Sequence, residues 1–112
     1  MDNNEKAYKA YCEACKGINV KKNEQIVLEC KTIWSYAFAK DIKGADIKAH
    51  EKVILELKNP SCSFYFARDI LGANIEEHFK VVYNSGDKYW FNRFIKEVNY
   101  KNTKVEEWLM YI

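Results

Sequence analysis

An all-α fold, a short HEAT-like α-solenoid of about four helical-hairpin repeats, is predicted by three features of this 112-residue chain. There is an internal repeat of about 28 residues. Apolar residues recur at helical spacing within each copy, and glycine or Asn/Asp stands where helices must stop and start.

The repeat is the primary signal. Residues 38–58, FAKDIKGADIKAHEKVILELK, and residues 66–86, FARDILGANIEEHFKVVYNSG, agree without a gap at 10 of 21 positions. Phe38/Phe66, Ile42/Ile70, Gly44/Gly72, Ile47/Ile75 and His50/His78 are among the shared pairs. Residues 11–31 enter the same frame with Gly17 on Gly44 and Val27-Leu28 on Ile54-Leu55. A fourth, degenerate copy places Trp90, Phe94 and Val98 where Trp34, Phe38 and Ile42 stand, with Asn99-Tyr100-Lys101-Asn102 in place of the glycine turn. Terminal repeats are commonly atypical because they cap an array. The expected organisation is one helical-repeat domain over 1–112, with units at about 4–31, 32–59, 60–86 and 87–112.

Each unit is expected to be two helices. Trp34, Phe38 and Ile42 make one helical stripe, and Gly44 supplies the left-handed residue that ends it. Asp46, Asn74 and Asn19 stand as N-caps of the second helices, with Glu77 completing a capping-box pattern behind Asn74. Asn59-Pro60 and Gly86-Asp87 mark the joins. The spacing predicts about seven or eight short helices, near 4–16, 19–31, 33–43, 46–58, 60–71, 74–85, 87–98 and 103–111. A hairpin this small cannot bury its apolar face alone, so neighbours must stack.

The pattern FA-K/R-DI-x-GA-D/N-I-x-x-H resembles a helical repeat of about 28 residues that recurs in uncharacterised bacterial and phage proteins. The resemblance covers residues 33–86 and extends, less closely, over 8–31. It implies an α-helical repeat fold and brings no catalytic residues with it. By association alone it suggests a phage or mobile-element inhibitor of a bacterial defence complex, anti-CRISPR-like in role.

Composition narrows the function classes. Eighteen basic and 16 acidic residues leave a net charge of +2, without the basic excess of a typical phosphate-backbone binder. No apolar run approaches the ~20 residues that span a bilayer, and the polar start MDNNEKAYKAYCEACK has no secretory apolar core. A cytoplasmic protein with reduced cysteines is expected. Cys12 and Cys15 form a C-x-x-C, with Cys30 and Cys62 beyond it. In the repeat frame all four take positions that other copies fill mainly with apolar residues, so core packing is favoured over metal binding. His50 and His78 share a position that the first copy gives to Asn23, which suggests a recurring structural hydrogen bond, to the preceding turn. Nucleophile-elbow, phosphate-loop and zinc-protease motifs are absent, and Asp41 and Asp69 recur as repeat residues. No enzyme activity, cofactor or metal is expected.

The candidate binding residues are Tyr36, Lys40, Phe64, Arg68, Phe91, Arg93 and Lys96. Tyr36/Lys40, Phe64/Arg68 and Asn92/Lys96 are four-residue pairs at equivalent positions, and stacked helices would align them as an aromatic–basic ladder. Phe91 matches Ser35 and Ser63 and is expected to be exposed. Such a ladder suits an acidic protein surface, a large nuclease or defence complex among them, or alternatively nucleic-acid bases. The ending WLMYI is expected either to close the core or to offer an apolar patch for a partner or a second copy as a homodimer.

Overall fold

A computed structural model describes residues 1–112 as eight helices without a strand. They are α1 (Asn3–Cys15), α2 (Val20–Cys30), α3 (Trp34–Asp41), α4 (Ile47–Leu57), α5 (Pro60–Asp69), α6 (Ile75–Ser85), α7 (Lys88–Glu97) and α8 (Lys104–Leu109). Every helix end falls within two residues of the position expected from the repeat. The helices form two compact units, Met1–Leu57 and Lys58–Ile112.

In the first unit α1 packs on α2 and α3, and α3 packs on α4. Asp2 opens α1 by accepting from the Glu5 N–H at 2.8 Å. The buried face of α1 is Ala7, Ala10 and Ala14, small residues that let its backbone approach its neighbours. Ala10, Ala14, Val27 and Phe38 form the core, with Tyr11, Val20, Ile26, Trp34, Ile42 and Ala45 packed around them. Tyr8 and Tyr11 cover the Trp34 ring, with centroids 4.7 and 5.4 Å away.

The second unit is built on Phe64, Ala67, Phe79, Val82, Phe94, Val98 and Val105. Its helix starts follow the expected chemistry. Asn59 accepts from the Ser61 and Cys62 N–H groups ahead of Pro60, and Asp87 accepts from those of Tyr89 and Trp90. Thr103 caps α8, and the Glu76 carboxylate on α6 accepts from the Lys104 N–H at 3.1 Å. Those contacts pin α8 so that Val105 is buried and Trp108 and Leu109 lie against the core. The last helix therefore closes the unit, while Met110, Tyr111 and Ile112 stay exposed.

The turns depart from expectation in an instructive way. At Gly17 the cap is the one foreseen: the Ile18 N–H reaches the Glu13 carbonyl and the Gly17 N–H the Ala14 carbonyl, a Schellman closure. After α3 and α5 the chain instead turns extended at Ile42 and Ile70, before the glycine. A tight turn follows, with the Ala45 N–H donating to the Ile42 carbonyl and Ala73 to Ile70. Gly44 (φ +83°) and Gly72 (φ +87°) are the third residues of these turns, a position that needs positive φ in a type II turn. Nothing lies within 4 Å of a Cβ built on Gly72. Gly72→Ala is therefore expected to cost about 1–2 kcal/mol from backbone strain alone, measured by urea unfolding. A loss under about 0.3 kcal/mol would show that this turn carries no such constraint.

Asn19 also differs: it sits at φ 43° and makes no side-chain cap. Asn23, one turn into α2, instead donates Nδ2–H back to the Ile18 carbonyl at 2.9 Å, which ties the helix to the preceding turn without satisfying its first N–H groups.

Candidate partner-binding surface

Within the second unit the candidate residues do not form an open aromatic–basic row. Phe64 is fully buried in the second core, beneath Arg68 and Arg93, whose guanidinium carbons lie 5.2 and 4.7 Å from its ring centroid. It cannot offer a face to a partner. Phe91 is half-buried, with its ring 6.1 Å from Phe79 and 6.2 Å from Tyr83, so its expected exposure is also corrected. Ser35 and Ser63, its frame equivalents, are fully buried, and the shared position is an inward one. Tyr36 is half-buried with the Lys40 ammonium 5.8 Å from its ring, and Lys40 and Lys96 are exposed.

The structure does bring Arg68 and Arg93 together, through an anion that the sequence pattern did not reveal. Glu97 on α7 takes hydrogen bonds from Arg93 at 2.6 and 3.1 Å and from Arg68 at 3.0 Å. Arg68 also pairs with Asp69 at 2.8 Å. Arg93 lies over the rings of Phe64, Trp90, Tyr65 and Tyr89. The hydrogen bond from Arg93, reinforced by Arg68, holds the Glu97 carboxyl below its ordinary range. The bond to Glu97 raises Arg93, and the bond to Asp69 raises Arg68. Two cations thus meet two anions, so an approaching phosphate or carboxylate would have to displace internal partners.

Two open, mainly apolar hollows lie elsewhere in the second unit. A hollow of about 310 Å³ is lined by Phe79, Lys80, Tyr83, Asn84, Trp108, Tyr111 and Ile112. A second, of about 180 Å³, is lined by Val82, Tyr83, Gly86, Asp87, Lys88, Phe91 and Ile112. Tyr83 and Ile112 border both, so the hollows flank one aromatic ridge on α6. Tyr83 stacks on Phe79 at 5.9 Å and keeps 50% of its surface exposed, while Tyr111 and Ile112 are 87% and 64% exposed. Phe79 and Trp108, with ring centroids 5.9 Å apart, form the floor of the larger hollow. The aromatic richness of the last quarter was legible in the sequence. Tyr83 was not, because its frame partner is Leu55, an ordinary packing residue.

The cysteines are all free thiols. Cys30 is buried as expected, and burial raises the pKa of the half-buried Cys62 thiol. Cys15 departs from its frame: it is exposed. Its helix continues through it, whereas Ile42 and Ile70 sit on extended backbone, so one frame position points in different directions.

The histidines are fully buried, with His50 stacked on Phe38 at 5.0 Å and His78 on Phe66 at 5.1 Å. His50 does not bond to a turn. Its Nε2 lies 2.9 Å from Glu24 Oε2 on α2, and the same oxygen accepts from the Asp46 N–H at 2.8 Å. One carboxylate therefore ties α2 to the start of α4.

Fold and surface together define an all-helical protein of eight short helices, with an exposed aromatic ridge on its second unit and no helix long and apolar enough to cross a membrane. Comparison with protein-family models, with curated proteins and with solved structures gives no match for the chain.

Proposed function

We propose that this chain is a non-enzymatic, protein-binding helical-repeat module of the α-solenoid class, and that it docks its partner over the aromatic ridge centred on Tyr83. The observation that carries this is the concave apolar surface itself. Two adjoining hollows are floored by Phe79, Trp108 and Phe91 and rimmed by exposed Tyr83, Tyr111 and Ile112. Clustered exposed apolar groups on a small domain mark interaction sites, and aromatic residues supply most of the energy at such sites. The aromatic–basic alternative is less favoured because Arg68 and Arg93 are already occupied by Asp69 and Glu97.

A cytoplasmic setting and a partner among bacterial defence complexes, with the module acting as a phage-derived inhibitor, belong to the same proposal. They rest on the resemblance of the repeat and on composition. The test compares two surface variants for capture of a defined complex from the native host. Tyr83→Glu should reduce capture at least about tenfold with a stability change within about 0.5 kcal/mol, since the side chain is half exposed. Lys40→Glu/Lys96→Glu should leave capture unchanged. The opposite pattern would return the binding face to the basic residues.

A further inference from the structure

We infer that the groove on either side of Tyr83 takes a short acidic–apolar segment of a protein partner, with one bulky apolar side chain in each hollow and carboxylates facing Lys80 and Lys88. This deepens the docking proposal above and rests on it.

The shape of the two hollows calls for apolar groups. The larger hollow lies between α6 and the end of α8 and is walled by aromatic rings on both sides. Its volume of about 310 Å³ is at the lower edge of the range that holds a compact ligand, and suits an aromatic side chain. The smaller, between α6 and the start of α7, is lined by Val82, Gly86 and Phe91 and suits an aliphatic one. Tyr83 separates them, so an occupant must present two apolar groups astride it.

The charges at the rim call for carboxylates. Lys80 is the one charged residue lining the larger hollow, and its ammonium lies 5.5 Å from the Trp108 ring centroid. It pairs with Glu77 at 3.3 Å, but both side chains are about half exposed, and such a pair exchanges at little cost. The smaller hollow has Lys88 and Asp87. The Asp87 carboxylate is committed to the Tyr89 and Trp90 N–H groups at the start of α7. Asp87 keeps its charge, but the positive end of α7 offsets it, and the side-chain charges most open to a partner are two ammonium groups, one beside each hollow. A basic segment would set its cations against both ammonium groups, and an uncharged one would draw nothing from either.

The experiment uses the full chain as bait against a displayed library of random peptides in which acidic, neutral and basic apolar sequences are equally represented. Selected peptides are expected to carry two bulky apolar residues with Asp or Glu beside them. Their binding, followed by fluorescence anisotropy, should weaken about tenfold or more in Lys80→Glu/Lys88→Glu, and that variant should select basic peptides instead. Tyr83→Glu should bind neither class. Failure to select any peptide, selection without acidic enrichment, or indifference to the double reversal would overturn the inference. So would a concentration-dependent dimer in sedimentation velocity that Tyr83→Glu abolishes, which would give the groove to a second copy, or flotation with anionic vesicles, which would give it to a lipid surface. If Tyr83→Glu abolishes capture of the host partner while the double reversal does not, the groove still binds protein and only the acidic specificity fails.

Discussion

Phe64→Ala is expected to destabilise the protein by about 3–5 kcal/mol, the range for emptying a fully buried aromatic position. The ring touches both sides of the second core. It packs among Ala67, Phe79, Val82, Phe94, Val98 and Val105, with Tyr65 at 5.2 Å and Trp90 at 5.5 Å. It is also the platform under both arginines, so its loss leaves the Arg68–Glu97–Arg93 network without support on one side. Urea unfolding followed by circular dichroism measures the effect. Phe64→Leu, which keeps most of the volume, should cost about 1–1.5 kcal/mol. The ladder expected from sequence makes the opposite forecast, a surface substitution with an effect within about 0.5 kcal/mol. A loss below about 1 kcal/mol would place Phe64 at the surface and reinstate it as a binding residue.

Glu24→Ala is expected to cost about 2–4 kcal/mol. The substitution leaves two donors behind, the fully buried His50 Nε2–H and the Asp46 N–H, both held by one carboxylate oxygen. A carboxylate acceptor at Nε2 assigns a proton to that nitrogen, while the ring stacks on Phe38. Burial, opposed by the hydrogen bond to Glu24, holds its pKa below the ordinary value of 6.5. The sign of the pH effect follows. The unfolded chain protonates this histidine near pH 6.5, while the folded chain resists until lower pH. His50 therefore favours the unfolded state progressively as pH drops below about 6.5, until the folded value is passed. Comparing His50→Gln with wild type between neutral pH and about pH 5.5 isolates this contribution, because glutamine does not titrate. The variant should lose less stability than wild type over that interval. Equal slopes would mean that His50 titrates as it does in the unfolded chain.

The two halves of the Glu24–His50 contact were unequally visible. His50 and His78 stand out as a recurring pair, and a structural role was readable from Asn23 at the same place. Glu24 carries no local signal, since a glutamate in the middle of a helix is ordinary. Its importance comes from the packing that buries it beside the start of α4. Lys31 is a similar case. It and Lys58 share the frame position of Gly86, and all three adopt positive φ at the ends of second helices. Only the glycine announced that conformation, because lysine enters it under strain that the rest of the hairpin must offset.

Periodic spacing, caps and the recurring glycines determined, from the sequence alone, the all-helical class and the limits of the helices, whereas the last two helices do not pair as a hairpin, α8 packing on α6 instead of α7. Class and limits depend on contacts within a few residues, where 3.6-residue spacing and backbone chemistry act directly. Which face of each helix turns inward was decided by the tertiary structure. Equivalent positions hold an exposed Cys15, still within its helix, and a half-buried Ile42 and a buried Ile70, both on extended backbone just past theirs. The same is true of the binding surface. Arg68 and Arg93 are drawn onto Glu97, and Phe64 is pulled beneath them. Tyr83 is left between two hollows whose walls come from three helices. Burial and charge pairing are properties of side chains brought together from distant parts of the chain, and a repeat frame lines up residues without stating what each will touch.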